Sequence, residues 1–140
     1  FHWRLPKRLP PLAAIAGADA AVALVPMSLG DDGRLLREVH RLGYRGVVVE
    51  GLGAGHVPAP VAPIISELVD VIPVVLATRV RTGPVFRSTY AFPGSEIDLQ
   101  RRGVIPAGNL TGPKARLLLS LLLRCGSDRR SIAEAFATYA

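Results

Sequence analysis

At 140 residues the chain has the length of one domain, enough to bury roughly two thirds of the surface its unfolded form exposes. Hydrophobic residues make up 49% and charged ones 20%, with a mean hydropathy of +0.33, which excludes a disordered chain and points to an apolar surface meant for a partner. The net charge of +6 comes from 17 basic residues scattered in small groups, without interleaved stacking aromatics, and this argues against nucleic acid as a partner.

Residues 1–20 carry Pro6, Pro10 and Pro11 and read as an interdomain linker, the chain being the downstream part of a longer protein. A basic start, an apolar middle and Ala18-Asp19-Ala20 imitate a signal peptide, but the paired prolines break the apolar stretch. Ala21 to Val25, closed by Pro26, predicts a first buried strand. Asp31 or Asp32 then caps a helix whose stripe is Leu35, Leu36, Val39 and Leu42, with His40 at its boundary and Gly43 as its stop.

Val47, Val48 and Val49 form a β-branched run without alternation, as in a strand covered on both faces, and such strands belong to parallel sheets. Glu50 ends the run, and Gly51, Gly53 and Gly55 lead to His56 beyond the carboxyl end of the strand, where α/β proteins place ligands. Val61, Ile64, Ile65 and Leu68 repeat a helical stripe, and Val71 to Ala77 forms a third strand interrupted by Pro73. Strand, helix, strand, helix, strand with short joints is the pattern of a parallel sheet with right-handed crossovers.

From Thr78 to Arg102 no period survives, and a loop of that length is expected to be functional or pinned by a neighbour. Gly103 to Ala107 gives a fourth strand. Thr111 caps a helix so rich in leucine, from Leu117 to Leu123, that it must be buried on most sides. The run is nevertheless far short of the about 20 apolar residues that cross a bilayer. Gly126 stops it, and Ile132, Ala135, Phe136 and Tyr139 mark a last amphipathic helix. Four strands and about four helices fill the chain.

The chemistry is sparse. Gly51-x-Gly53-x-Gly55 lacks the spacing of a dinucleotide-binding turn, and His2, His40, His56 and Cys125 share no metal-ligand spacing. The single cysteine forms no disulfide framework and fits a reducing cytoplasm. No Gly-x-Ser-x-Gly elbow and no phosphate-cradling loop is present, so nothing pairs a nucleophile with its base. Neither a cofactor nor a metal is expected.

Three blocks carry a resemblance: Val-Val-Val-Glu-Gly-Leu-Gly-Ala-Gly-His-Val-Pro, then Ile-Pro-Val-Val-Leu-Ala-Thr-Arg, then Gly-Val-Ile-Pro-Ala-Gly-Asn-Leu-Thr-Gly-Pro-Lys-Ala-Arg. In order and spacing they resemble the carboxyl-terminal domain of the bacterial L-asparaginases, over residues 21–140. The resemblance implies a small flavodoxin-like, three-layer α/β domain with a four-stranded parallel sheet. It also implies that the catalytic threonines, aspartate and lysine lie in an amino-terminal domain absent from this chain, in which no Thr-Gly-Gly-Thr stretch occurs. On this reading the protein hydrolyses L-asparagine, possibly glutamine, and forms a homodimer or homotetramer in the cytoplasm. The fragment by itself is inactive. The glycine turn (Gly55 and His56) and a loop acid hold the substrate's ammonium and carboxylate for a neighbouring subunit. The family's asparagine is replaced here by His56, whose neutral imidazole still accepts a hydrogen bond. Glu96 is the best candidate for the acid, with Tyr90 and Asp98 behind it. The Gly-His-Val ending also resembles the archaeal amidotransferase that acts on glutamyl-tRNA(Gln), and a non-catalytic small-ligand or interaction module is a further alternative.

Overall fold

The computed structural model describes residues 9–12, 15, 17 and 19–139. Most of the expected linker, residues 1–20, lies outside the described residues. Its described parts sit against the body: the Tyr139 hydroxyl donates to the Pro10 carbonyl at 2.6 Å, and Gly17 N–H donates to the Arg124 carbonyl at 3.0 Å.

Four parallel strands, β1 (Val22–Pro26), β2 (Gly46–Gly51), β3 (Val74–Thr78) and β4 (Ile105–Pro106), lie side by side in sequence order. Pro26 remains within β1, opposite Glu50, because an edge strand can lose one donor without breaking a ladder. Helices α1 (Arg34–Val39), α2 (Val61–Val69) and α3 (Glu96–Arg101) make the three crossovers. Leu36, Val61, Ile64, Ile65, Leu68 and Leu99 share one core with Val47, Val49, Val74 and Leu76, so all three helices cover the same face. This is the outcome when each crossover has the same hand and steps in the same direction. After β4, α4 (Gly112–Arg124) and α5 (Arg129–Tyr139) fold back over the other face. There Ala115, Leu118, Leu119, Leu122, Ile132 and Phe136 pack on Val22, Val48, Val75 and Ile105. Adjacent valines of β2 thus feed two cores, which is why the strand shows no alternation.

The three-layer, four-stranded parallel reading holds, and the details move. A fifth helix, α3, forms inside the stretch expected to be loop from Thr78 to Arg102. In α1 only Leu36 and Val39 are buried; Leu35 lies on the outer side of the helix, and Leu42 falls beyond its end at Val39, so both face solvent. The leucine-rich α4 is not enclosed on most sides: Leu117 is 60% exposed, since the helix covers the sheet as an outer layer.

Candidate functional site

Two loops beyond the carboxyl ends of β2 and β3 are laced together by backbone hydrogen bonds. The first, Leu52 to His56, closes on itself: Leu52 N–H donates to the His56 carbonyl and His56 N–H to the Leu52 carbonyl, both at 2.8 Å. Thr78, the last residue of β3, pins it by donating its hydroxyl to the Gly53 carbonyl at 2.5 Å. The second loop joins at two points, Phe86 N–H to the Ala54 carbonyl at 2.9 Å and Val57 N–H to the Gly94 carbonyl at 2.8 Å. Gly55 sits at φ +109°, and a Cβ there would meet Val85 Cγ1 at 2.9 Å, so both the turn and its packing require glycine.

The second loop runs into α3 through Ser95. Its hydroxyl accepts from Asp98 N–H at 3.5 Å, the N-cap of α3, and donates to the Tyr90 carbonyl at 2.7 Å. Glu96, the first residue of α3, is fully buried. Its Oε1 accepts from Thr89 N–H at 2.9 Å and from Tyr90 N–H at 2.7 Å, which leaves Oε2 aimed at His56. Oε2 lies 3.6 Å from His56 Nδ1, beyond hydrogen-bonding distance. Both atoms are buried and neither has a hydrogen-bond partner. Tyr90 and Phe92 flank the imidazole, with ring centroids 5.0 and 4.9 Å away.

The structure brings together Gly55, His56 and Glu96, which the resemblance named as one substrate-holding set, and puts Tyr90, ranked behind Glu96, beside them. Asp98 is committed elsewhere. Its Oδ2 accepts from Gly94 N–H at 2.9 Å and from Arg102 Nε at 3.0 Å. Burial works against its charge, but the bonds from Arg102 and Gly94 outweigh it and hold the carboxyl below the usual range. Phe92 was not singled out from the sequence. The signal that could have found it is the alternation Tyr90-Ala91-Phe92 just ahead of a Ser-x-x-Asp cap.

Such an arrangement can hold one cationic donor. A buried carboxylate oxygen and an imidazole nitrogen, both unpaired and converging, suit a primary ammonium that donates to each.

A probable L-asparaginase of Deinococcus radiodurans is 41% identical over 91 residues, 65% of this chain and 27% of its own length. An L-asparaginase of Bacillus licheniformis is 38% identical over 104 residues, 74% of this chain and 32% of its own. A component of the glutamyl-tRNA(Gln) amidotransferase of Pyrococcus furiosus is 30% identical over 118 residues, 84% of this chain and 26% of its own. The chain thus spans a third or less of these curated relatives. Among solved structures, a probable cytoplasmic L-asparaginase from Campylobacter jejuni superposes with a TM-score of 0.73 at 29% identity, covering 87% of this chain and 37% of that one. The family model for the glutaminase/asparaginase C-terminal domain matches residues 21–136, and the chain belongs to that family.

Proposed function

We propose that this chain is the substrate-holding portion of an L-asparaginase, gripping the α-ammonium of L-asparagine while a catalytic domain amino-terminal to it hydrolyses the side-chain amide. The observation that carries this reading is the buried pair of polar atoms without hydrogen-bond partners, Glu96 Oε2 and His56 Nδ1, the latter an acceptor in the tautomer protonated at Nε2. A buried carboxylate oxygen without a partner is costly to leave so, and an ammonium that bridges the two atoms from one side satisfies both. The relatives supply the rest: asparaginases two to three times longer than this chain leave ample sequence for the nucleophile, which this reading places outside it. The same reading has the protein act in the cytoplasm as a homodimer or homotetramer whose subunits share their sites.

The test is kinetic. In the whole protein that carries this domain, Glu96→Gln should keep a carbonyl oxygen for the Thr89 and Tyr90 N–H groups and turn an NH2 toward the ammonium. KM for L-asparagine should rise about 10- to 100-fold, the equivalent of one charged hydrogen bond. An unchanged KM would sink the reading. The likeness to the amidotransferase over 84% of the chain keeps one alternative in the experiment, since ammonia passed to glutamyl-tRNA instead of released from asparagine would favour it.

A further inference from the structure

The backbone of His56 is fixed, but its ring is not fixed by hydrogen bonds. Both main-chain groups bridge to Leu52. Rotation about the Cβ–Cγ bond of an imidazole is broad, however, and a half-turn replaces Nδ1 by a carbon. No hydrogen bond keeps Nδ1 facing Glu96, because 3.6 Å is too long and the nitrogen has no other partner. What bears on the ring is a pair of aromatic side chains. Tyr90 meets the imidazole at 5.0 Å with an interplanar angle of 87°, Phe92 at 4.9 Å and 54°, and the two rings touch each other at 6.0 Å and 58°. These are the edge-to-face and tilted separations that aromatic quadrupoles favour.

Burial does not account for the position of these rings. Tyr90 is 43% exposed and Phe92 47%, while the imidazole they flank is 20% exposed and the Glu96 carboxylate is fully buried. Their loop is tied instead to the site: Tyr90 N–H donates to Glu96 Oε1, and the Tyr90 carbonyl accepts from Ser95. One carboxylate oxygen thus orients the loop that carries the rings, and the rings orient the imidazole that faces the other oxygen.

We propose that Tyr90 and Phe92 are positioning residues that keep His56 Nδ1 turned toward Glu96 Oε2, so that both acceptors converge on one primary ammonium. The proposal rests on the reading of His56 and Glu96 as the substrate-holding pair. Neither ring needs to touch the substrate. With the rings gone the imidazole turns freely, and a smaller fraction of molecules presents both acceptors at once.

The experiment uses the whole protein that carries this domain. Phe92→Leu and Tyr90→Leu retain apolar bulk and remove the ring, and each should raise KM for L-asparagine about 3- to 10-fold, the equivalent of one lost aromatic pair. The accompanying change in kcat should stay below about twofold. Phe92→Tyr and Tyr90→Phe, which keep a ring, should remain near the parent. In a His56→Ala background the leucine substitutions should lose their effect, because they act through the imidazole. NMR cross-peaks from the His56 ring to both aromatic rings should be present in the parent and in the aromatic swaps. If a leucine variant fails to fold by circular dichroism, the methionine variants carry the same test. Unchanged KM in Glu96→Gln and His56→Ala would remove the underlying reading. If those two raise KM while the ring-removing variants do not, or if their effect persists undiminished in His56→Ala, the positioning role is overturned and the holding pair stands.

Discussion

An imidazole and a carboxylate whose nearest atoms stand 3.6 Å apart without bonding make the role proposed for His56 testable by its chemistry. If neutral Nδ1 accepts from the substrate's ammonium, His56→Ala removes one acceptor of two. KM should then rise about 10-fold, with kcat lowered only as far as the misplaced substrate spoils the geometry of attack. His56→Asn offers an amide oxygen from a similar position and should be milder. Steady-state kinetics of the three proteins decide it, and an unchanged KM in both variants would leave His56 a loop residue. Its placement beyond a buried valine strand was legible, since β-branched runs and clustered glycines are local signals. The nearness of Glu96 was expected from the resemblance alone, because it depends on where a long loop returns, and no short-range pattern records that.

At the scale of elements, α3 and the loop before it decide whether the site exists. Gly94 sits at φ +86°, and a Cβ there would approach the Val57 carbonyl oxygen closely. Gly94→Ala should therefore cost about 1–3 kcal/mol and slacken the tie between the two loops, which denaturant midpoints would report. Asp98 steadies the same corner through Gly94 and Arg102. Because its carboxyl is held below the usual range, its contribution to stability is present above the ordinary carboxylate pKa and is lost as pH falls through the lowered one. Asp98→Asn should thus destabilise the fold at neutral pH and narrow the gap from the parent in strong acid, as thermal melts at both ends would show. The strands and α2 were readable because their periods are strong: Val61, Ile64, Ile65 and Leu68 are all buried, as their spacing requires. Helix α3 escaped because Glu96–Arg101 holds little more than one and a half turns and buries its acid rather than an apolar stripe. The Ser95 cap was its one sequence signal.

For the whole molecule, part of the exposed apolar surface gathers at one end of the sheet. Leu29 follows β1, Val80 follows β3, and Phe86, Tyr90 and Phe92 stand on the loop that reaches the site, all exposed and all beyond the carboxyl ends of the strands. On the proposed reading these apolar side chains, next to the His56 and Glu96 pair in a chain that spans a third or less of its relatives, form the rim over which another domain or subunit closes. Separated from that cover, the 140-residue chain should have two properties. It should release no ammonia from asparagine above the uncatalysed rate, because a grip on the ammonium provides no nucleophile. It should also associate with itself, the exposed rim of one copy covering that of another. Sedimentation velocity over a range of concentrations should show an average mass that rises with loading. Val80→Ser with Phe86→Ser, which thins the rim and leaves His56, Glu96, Tyr90 and Phe92 in place, should shift the distribution toward monomer. A parent that stays strictly monomeric at high concentration and binds no hydrophobic dye would show that these side chains are ordinary surface residues and that the excess apolar character serves no contact.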